Sequence, residues 1–195
     1  MPVSTAHLDF SNNQFSLGIP EDLCAYEDLQ FLDLSDNQLG STVPSCLGDL
    51  PKLRGLELSN DLLVGPIPAS LSQPIELEIL QLSDNSLTGS LPAAMGALVN
   101  MKEMRLSNNK LAGPIPSELG RLTAMQSFEI DDNAITGTFP SELGSWAGLQ
   151  NMVLRGNTIS GEIPQELCQL SNLALQSRDL GCEIVCSCCS GSDVC

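Results

Sequence analysis

The stretch Leu77–Pro92 reads LEILQLSDNSLTGSLP, and Met101–Pro116 repeats its pattern as MKEMRLSNNKLAGPIP. The pattern returns along the chain without an insertion, at a period of 24 residues. Its first position is held by Leu29, Leu53, Leu77, Met101, Met125 and Leu149. A fixed period of this length indicates stacked units, each of which buries its apolar face against its neighbours. Seven such units extend from about residue 5 to residue 172, so we predict that residues 1–172 form one solenoid domain.

Each unit begins with a predicted strand. Apolar residues at its fourth and sixth positions, such as Leu80 and Leu82, alternate with polar ones, as in a strand with one buried face. Later in the unit a glycine precedes an apolar–Pro pair such as Ile115-Pro116, which indicates a short second strand and then a 3-10 turn. We therefore predict an α/β solenoid with a parallel β-sheet on its concave face, and short second strands and 3-10 turns on its convex side.

The ninth position of the unit is a column of asparagines: Asn13, Asn37, Asn85, Asn109, Asn133 and Asn157. An amide both donates and accepts hydrogen bonds, so we expect this column to bind the backbone of the stacked turns. The third unit has Asp61 instead, and a carboxylate only accepts. We predict that carbonyls facing Asp61 stay unmatched. Trp146 occupies a position that other units give to Leu, and is expected to fill the core.

The run L-x-x-L-x-L-S-x-N-x-L-x-G-x-I-P resembles the plant-type extracellular leucine-rich repeat, over residues 5–172. This resemblance implies a right-handed superhelix that acts as a non-catalytic recognition module, secreted or the ectodomain of a receptor-like surface protein. It also implies that a peptide, glycan or protein ligand binds on the concave face, with a co-receptor as a further partner. The alternative is a soluble inhibitor or a scaffold for protein–protein interaction. The paired-cysteine cap of the plant family is missing, so Leu8, Phe10 and Phe15 are expected to face an open end of the core.

Composition excludes several other classes of function. The chain has 24 Asp and Glu against 8 Lys and Arg, a formal charge of −16, which disfavours binding to nucleic acid. It contains no run of about 18 apolar residues, so we expect no membrane insertion by this segment. No catalytic motif is present, and we expect neither enzymatic activity nor a cofactor. The outer Thr and Ser columns are too mixed to favour ice binding.

The cysteines point to an oxidising compartment and hence to an extracellular or cell-surface location. We predict that these cysteines form structural disulfides. Cys24 and Cys46 lie at near-equivalent places on neighbouring units, which would allow them to pair with little strain. Residues 173–195 are predicted to form a cysteine-rich cap, which resembles the caps of some algal leucine-rich repeat proteins. A thiolate metal site is the alternative, although the C-x2-C pair that zinc usually takes is absent. The cysteines are Cys24, Cys46, Cys168, Cys182, Cys186, Cys188, Cys189 and Cys195.

Alternation along each strand identifies the side chains that face solvent on the concave side. The candidate ligand-binding residues are Asp9, Phe31, Asp33, Glu57, Ile79, Gln81, Glu103, Arg105 and Glu129. Phe31 and Ile79 are expected to be exposed apolar residues. The acidic stripe formed by Asp9, Asp33, Asp36 and Glu57 suits calcium or a basic peptide, and it equally serves solubility. We assign His7 no role and predict no metal site.

Overall fold

The computed structural model describes residues 6–162, 165–168 and 184–185. Seven short parallel strands form the concave sheet, in which every strand pairs with the equivalent strand of the next unit. Residues 24 positions apart lie side by side, as with Leu56 and Leu80. The strands are β1 (His7–Asp9), β2 (Phe31–Asp33), β3 (Gly55–Glu57), β5 (Ile79–Gln81), β7 (Glu103–Arg105), β9 (Ser127–Glu129) and β11 (Asn151–Val153).

A second parallel sheet follows the inward turns. Its strands again pair in the order of the units. The prediction of short second strands is confirmed, and the four strands that begin at Ser86, Lys110, Ala134 and Thr158 each start directly after a residue of the asparagine column. The strands are β4 (Val64–Pro66), β6 (Ser86–Gly89), β8 (Lys110–Pro114), β10 (Ala134–Thr138), β12 (Thr158–Glu162) and β13 (Ile184–Val185).

The convex side consists of 3-10 helices, as predicted. Each follows a proline in extended conformation, because proline fixes φ and has no N–H to join a strand ladder. A short α-helix, α1 (Gln165–Cys168), takes this place in the last described unit. The 3-10 helices are Glu21–Ala25, Ser45–Asp49, Ala69–Ser72, Ala93–Ala97, Ser117–Arg121 and Ser141–Ser145.

The core runs between the two sheets and the 3-10 helices as one continuous apolar cluster. Leucines at the repeat positions, such as Leu29 and Leu80, are completely buried. Trp146 is also completely buried, as predicted. Its Nε1–H donates to the carbonyl of Leu119 at 2.9 Å, and its ring meets Phe128 edge-on with centroids 5.2 Å apart. The one polar atom of this large side chain is therefore satisfied inside the core.

The asparagine column binds the turns as expected, and Asn109 shows its geometry. Its Nδ2 donates to the carbonyls of Leu82 (2.9 Å), Leu106 (3.1 Å) and Ser107 (3.2 Å). Its Oδ1 accepts the backbone N–H of Leu87, in the preceding unit, at 2.9 Å. From Asn37 onward, each amide of the column thus connects its own turn to the turn before it, whereas Asn13 binds only its own turn.

Asp61 interrupts this column, but the prediction that its neighbouring carbonyls stay unmatched is wrong. The Leu34 carbonyl accepts from Asn37 Nδ2 at 2.7 Å, and the Leu58 carbonyl accepts from Asn85 Nδ2 at 2.8 Å. Asp61 Oδ1 accepts the backbone N–H of Asn37 at 3.0 Å, whereas its Oδ2 is buried and has no hydrogen-bond partner in the described part of the chain. Burial raises the pKa of Asp61 from 3.8 to about 6, and the nearby carboxylates of Asp36 and Asp33 add to this rise. The hydrogen bond from Asn37 acts in the opposite direction.

A disulfide joins Cys24 to Cys46, with their Cα atoms 5.8 Å apart, and it links the first two 3-10 helices. The predicted cap at residues 173–195, apart from β13, lies outside the described residues, as does any bridge from Cys168 into it. At the other end of the described stack, Phe10 and Phe15 are 39% and 49% exposed. They line a cavity of about 210 Å³ together with Leu34. Within the described ranges, no helix has the length and apolarity needed to cross a membrane.

Candidate ligand-binding face

The predicted ligand-binding residues all lie on strands of the concave sheet. In each strand the central residue is shielded from solvent, and the first and third residues point away from the core. The third positions form one row, in which Asp9, Asp33 and Glu57 lie side by side and Gln81, Arg105 and Glu129 continue the series. The first positions form a parallel row. The solvent side of this sheet is therefore the one that alternation along the strands predicts.

Arg105 lies between two carboxylates on this face. Its guanidinium is 3.3 Å from Glu103 and 3.4 Å from Glu129. Glu129 also accepts hydrogen bonds from Asn151 Nδ2 at 2.8 Å and from Ser127 Oγ at 2.9 Å. The charged side chains in the C-terminal half of the face thus form ion pairs with one another. A ligand that binds there would have to break these contacts.

An ion-paired cluster that was not predicted from the sequence lies at the edge of the concave sheet. Glu78 pairs with Lys102 at 2.5 Å and, through its other oxygen, with Arg54, whose Nε donates to it at 2.9 Å. These hydrogen bonds, Lys102 first and Arg54 second, lower the pKa of Glu78. The three residues are 24 positions apart, so the repeat period was the signal that could have revealed the cluster.

The N-terminal half of the face carries carboxylates without such partners. Asp9 and Asp33 each accept the backbone N–H and the hydroxyl of the serine two residues later, Ser11 and Ser35. The Ser11 hydrogen bonds hold the pKa of Asp9 below its ordinary value. Burial raises the pKa of Glu57, and the carboxylates of Asp33 and Glu103 raise it further. No Lys or Arg of the described chain forms an ion pair with Asp9, Asp33 or Glu57.

The expectation that Phe31 and Ile79 are exposed is wrong, because both are partly buried. Phe31 stacks on His7, with ring centroids 4.6 Å apart and planes 25° apart. On its other side, Gly55 has no side chain, and the Phe31 ring spreads into that space: a Cβ at Gly55 would lie 2.5 Å from Phe31 Cδ1. His7, to which we assigned no role, is therefore part of the face.

The described residues offer no group of three or more His, Cys, Asp or Glu side chains placed to hold a metal ion. The calcium interpretation of the acidic stripe consequently receives no geometric support. The arrangement is an open sheet with unpaired carboxylates and an aromatic pair at one end and internally paired charges at the other. Such a face can bind an extended ligand by charge and stacking.

Comparison with known proteins agrees with this architecture. The family model of the Leucine Rich Repeat matches residues 4–25, 28–50, 76–98, 100–122 and 148–170, more than half of the chain. The chain belongs to the leucine-rich repeat family. The intervening units have the same strands and 3-10 helices, although one of them carries Asp61 in the asparagine column. No curated protein gave a significant match.

Solved structures of plant receptors share this leucine-rich repeat fold. The plant peptide hormone receptor RGFR1 in complex with RGF2 is 37% identical, with a TM-score of 0.82, over 84% of this chain and 26% of that chain. The Arabidopsis receptor kinase HAESA, in complex with the peptide hormone IDA and the co-receptor SERK1, is 30% identical, with a TM-score of 0.82, over 88% and 29%. A plant ice-binding protein is 26% identical, with a TM-score of 0.59, over 82% and 66%. The chain thus spans less than a third of the two receptor chains.

Proposed function

We propose that this leucine-rich repeat chain is a non-catalytic recognition module that binds an extended peptide across its concave face. The observation that carries the proposal is the open concave sheet, on which Asp9, Asp33 and Glu57 lack ion-pair partners in the described chain. The similar receptors are complexes with peptide hormones, which supports a peptide rather than a glycan as the ligand. The nine predicted residues of the face are the proposed contact residues.

We further propose that the chain works outside the cell. The Cys24–Cys46 disulfide and the receptor neighbours support this location. Intact mass before and after reduction, with alkylation of free thiols, tests it on the purified chain. Eight cysteines protected until reduction are the expected result. Eight free thiols in the native protein would contradict both the location and the proposed disulfide cap at residues 173–195.

Peptide binding is tested by selecting a displayed random peptide library on the full chain. The selected peptides are then measured against Gln81→Trp, which places a bulky side chain at the centre of the face. Val99→Trp is the matched control, because Val99 is solvent-exposed and lies outside the concave strands. Loss of binding in Gln81→Trp alone supports the proposal. Equal binding to both variants contradicts the concave site, and failure to enrich any peptide contradicts peptide binding.

An inhibitor or scaffold that docks on another protein is the second candidate function. The ion-paired C-terminal half of the face, with Glu129 and Arg105 held in place, favours it because rigid charges can fix the register of a protein partner. Ice binding is not proposed. In the described second sheet, Pro66 lies beside Thr88 and Pro114 beside Thr136, which interrupts any threonine row.

A further inference from the structure

An aromatic pair lies at the N-terminal end of the concave sheet. His7 and Phe31 occupy the first positions of β1 and β2 and stack nearly in parallel. Gly55, next in that row, leaves a gap into which the Phe31 ring extends. His7 is exposed and Phe31 remains partly open to solvent. The pair therefore offers aromatic surface on a sheet face that nothing in the described chain covers.

Three carboxylates accompany this pair. Asp9, Asp33 and Glu57 lie two residues further along the same three strands, on the same face. Two residues of a strand span about 7 Å and neighbouring strands lie about 4.8 Å apart, so both groups are within reach of one long side chain. Within the described structure, Asp9 and Asp33 accept hydrogen bonds from Ser11 and Ser35 through Oδ1 only.

The contrast with the other half of the face points to a cation from outside. There, Glu103 and Glu129 have Arg105, and at the sheet edge Glu78 has two basic partners. Like charges placed side by side on adjacent strands destabilise a sheet. Asp9, Asp33 and Glu57 form such a row, and no Lys or Arg of the described chain forms an ion pair with them. Burial and Asp33 raise the pKa of Glu57, and Arg105 opposes this rise only from a distance. A bound cation would relieve this repulsion.

We propose that this end of the face binds an arginine side chain of the peptide, with its guanidinium stacked on the His7–Phe31 pair and hydrogen-bonded to Asp33 and Glu57. The inference rests on the proposed function and specifies its ligand. A guanidinium is planar and delocalised, so it both stacks on aromatic rings and donates two parallel hydrogen bonds to a carboxylate. A lysine ammonium would satisfy the charge without the stacking geometry, and an anionic group would be repelled.

The test uses a defined probe, the peptide acetyl-Gly-Gly-Arg-Gly-Gly-amide, titrated into the isotope-labelled full chain and followed by NMR. The matched probe replaces Arg with citrulline, which has the same shape without the charge. A third probe carries Lys. We expect the Arg peptide to bind at least about fivefold more tightly than the citrulline peptide, with the largest shifts at His7, Phe31 and Asp33. We expect it to bind about threefold more tightly than the Lys peptide.

Two variants divide the site into its parts. Phe31→Leu removes the aromatic face but keeps an apolar side chain. It should lower the affinity for the Arg peptide about threefold. Asp33→Asn should weaken it about fivefold to tenfold. The control is Glu142→Gln, which removes the same charge from an exposed position in the 3-10 helix Ser141–Ser145 and should change binding less than about twofold. Thermal unfolding verifies that each variant is folded.

The outcomes separate this inference from the proposed function. Equal losses in Asp33→Asn and Glu142→Gln would show non-specific attraction to an acidic chain, which overturns the inference. Equal affinity for the Arg and Lys peptides would overturn the proposed stacking. So would an affinity for the Arg peptide that Phe31→Leu leaves unchanged. A different outcome is that the selected library peptides lose binding in Gln81→Trp and yet bind without an arginine. In that case the proposed arginine site is wrong, whereas the proposed peptide-binding function stands.

Discussion

Asp61 places a carboxylate where the described neighbouring units place an amide, and the consequence is a stability that depends on pH. The pKa of Asp61 is about 6 in the folded chain against an ordinary value of 3.8. The folded state therefore binds more protons than the unfolded state between these two values, and the free energy of unfolding falls as pH rises from about 4 to about 6. Above that range the loss is complete, at about 3 kcal/mol.

Asp61→Asn should restore the missing amide donor and remove this loss. We expect the substitution to raise the free energy of unfolding at pH 7.5, and the gain to be about 2 kcal/mol larger at pH 7.5 than at pH 4.5, where the wild-type carboxyl is mostly protonated. Urea unfolding of both proteins at the two pH values measures the difference. Asp22→Asn, at an exposed residue, is the control and should change stability by less than about 0.5 kcal/mol. An equal gain at both pH values would contradict the buried-carboxylate account.

At the scale of elements, glycine sets how closely adjacent 3-10 helices approach. Gly96 is the second-last residue of the helix Ala93–Ala97. A Cβ at this position would lie 2.3 Å from the carbonyl oxygen of Glu118 in the next helix. Backbone cannot move aside as a side chain can, so the helices would have to separate. The same close approach recurs at Gly48 and Gly120, so it is a property of the stack rather than of one unit.

Gly96→Ala should therefore destabilise the chain by about 2–3 kcal/mol, through overpacking of two helices. Gly148→Ala is the matched control, because a Cβ at Gly148 meets its nearest atom, the Met125 carbonyl oxygen, at an ordinary 3.6 Å. That variant should change stability by less than about 0.5 kcal/mol. Denaturant unfolding compares the two, and similar losses in both would show that helix spacing is not the cause.

The elements and the asparagine column could be predicted because the period fixes them, whereas the side-chain contacts on the concave face were missed. The alternation at Leu80 and Leu82 is enough to identify a strand. The proline represented by Pro116 marks the start of a 3-10 helix at a fixed position of the unit. The burial of Phe31 depends instead on the residues beside it in neighbouring strands, His7 and Gly55, which lie 24 positions away. Reading the repeat columns as rows of physical neighbours would have revealed this stacking.

Across the whole molecule, each described unit contacts only its neighbours, so stability is close to a sum of unit and interface terms. Within the asparagine column, the carboxylate of Asp61 accepts the backbone N–H of Asn37 between the second and third units, whereas amides such as Asn109 connect the later units. Because the buried Asp61 carboxylate is ionised at neutral pH, we expect this interface to be the weakest point in the described ladder. Residues 6–52 also carry the exposed Phe10 and Phe15.

Hydrogen exchange should reveal this division. At pH 7.5 we expect residues 6–52 to exchange faster than residues 77–148, because local opening at the Asp61 interface releases the first two units while the remaining stack stays intact. Asp61→Asn at the same pH should slow exchange in residues 6–52 and change residues 77–148 little. Mass-spectrometric exchange on the full chain measures both segments in one sample. A uniform slowing along the chain would instead mean that the solenoid opens as a single cooperative unit, and that Asp61 weakens the whole rather than one interface.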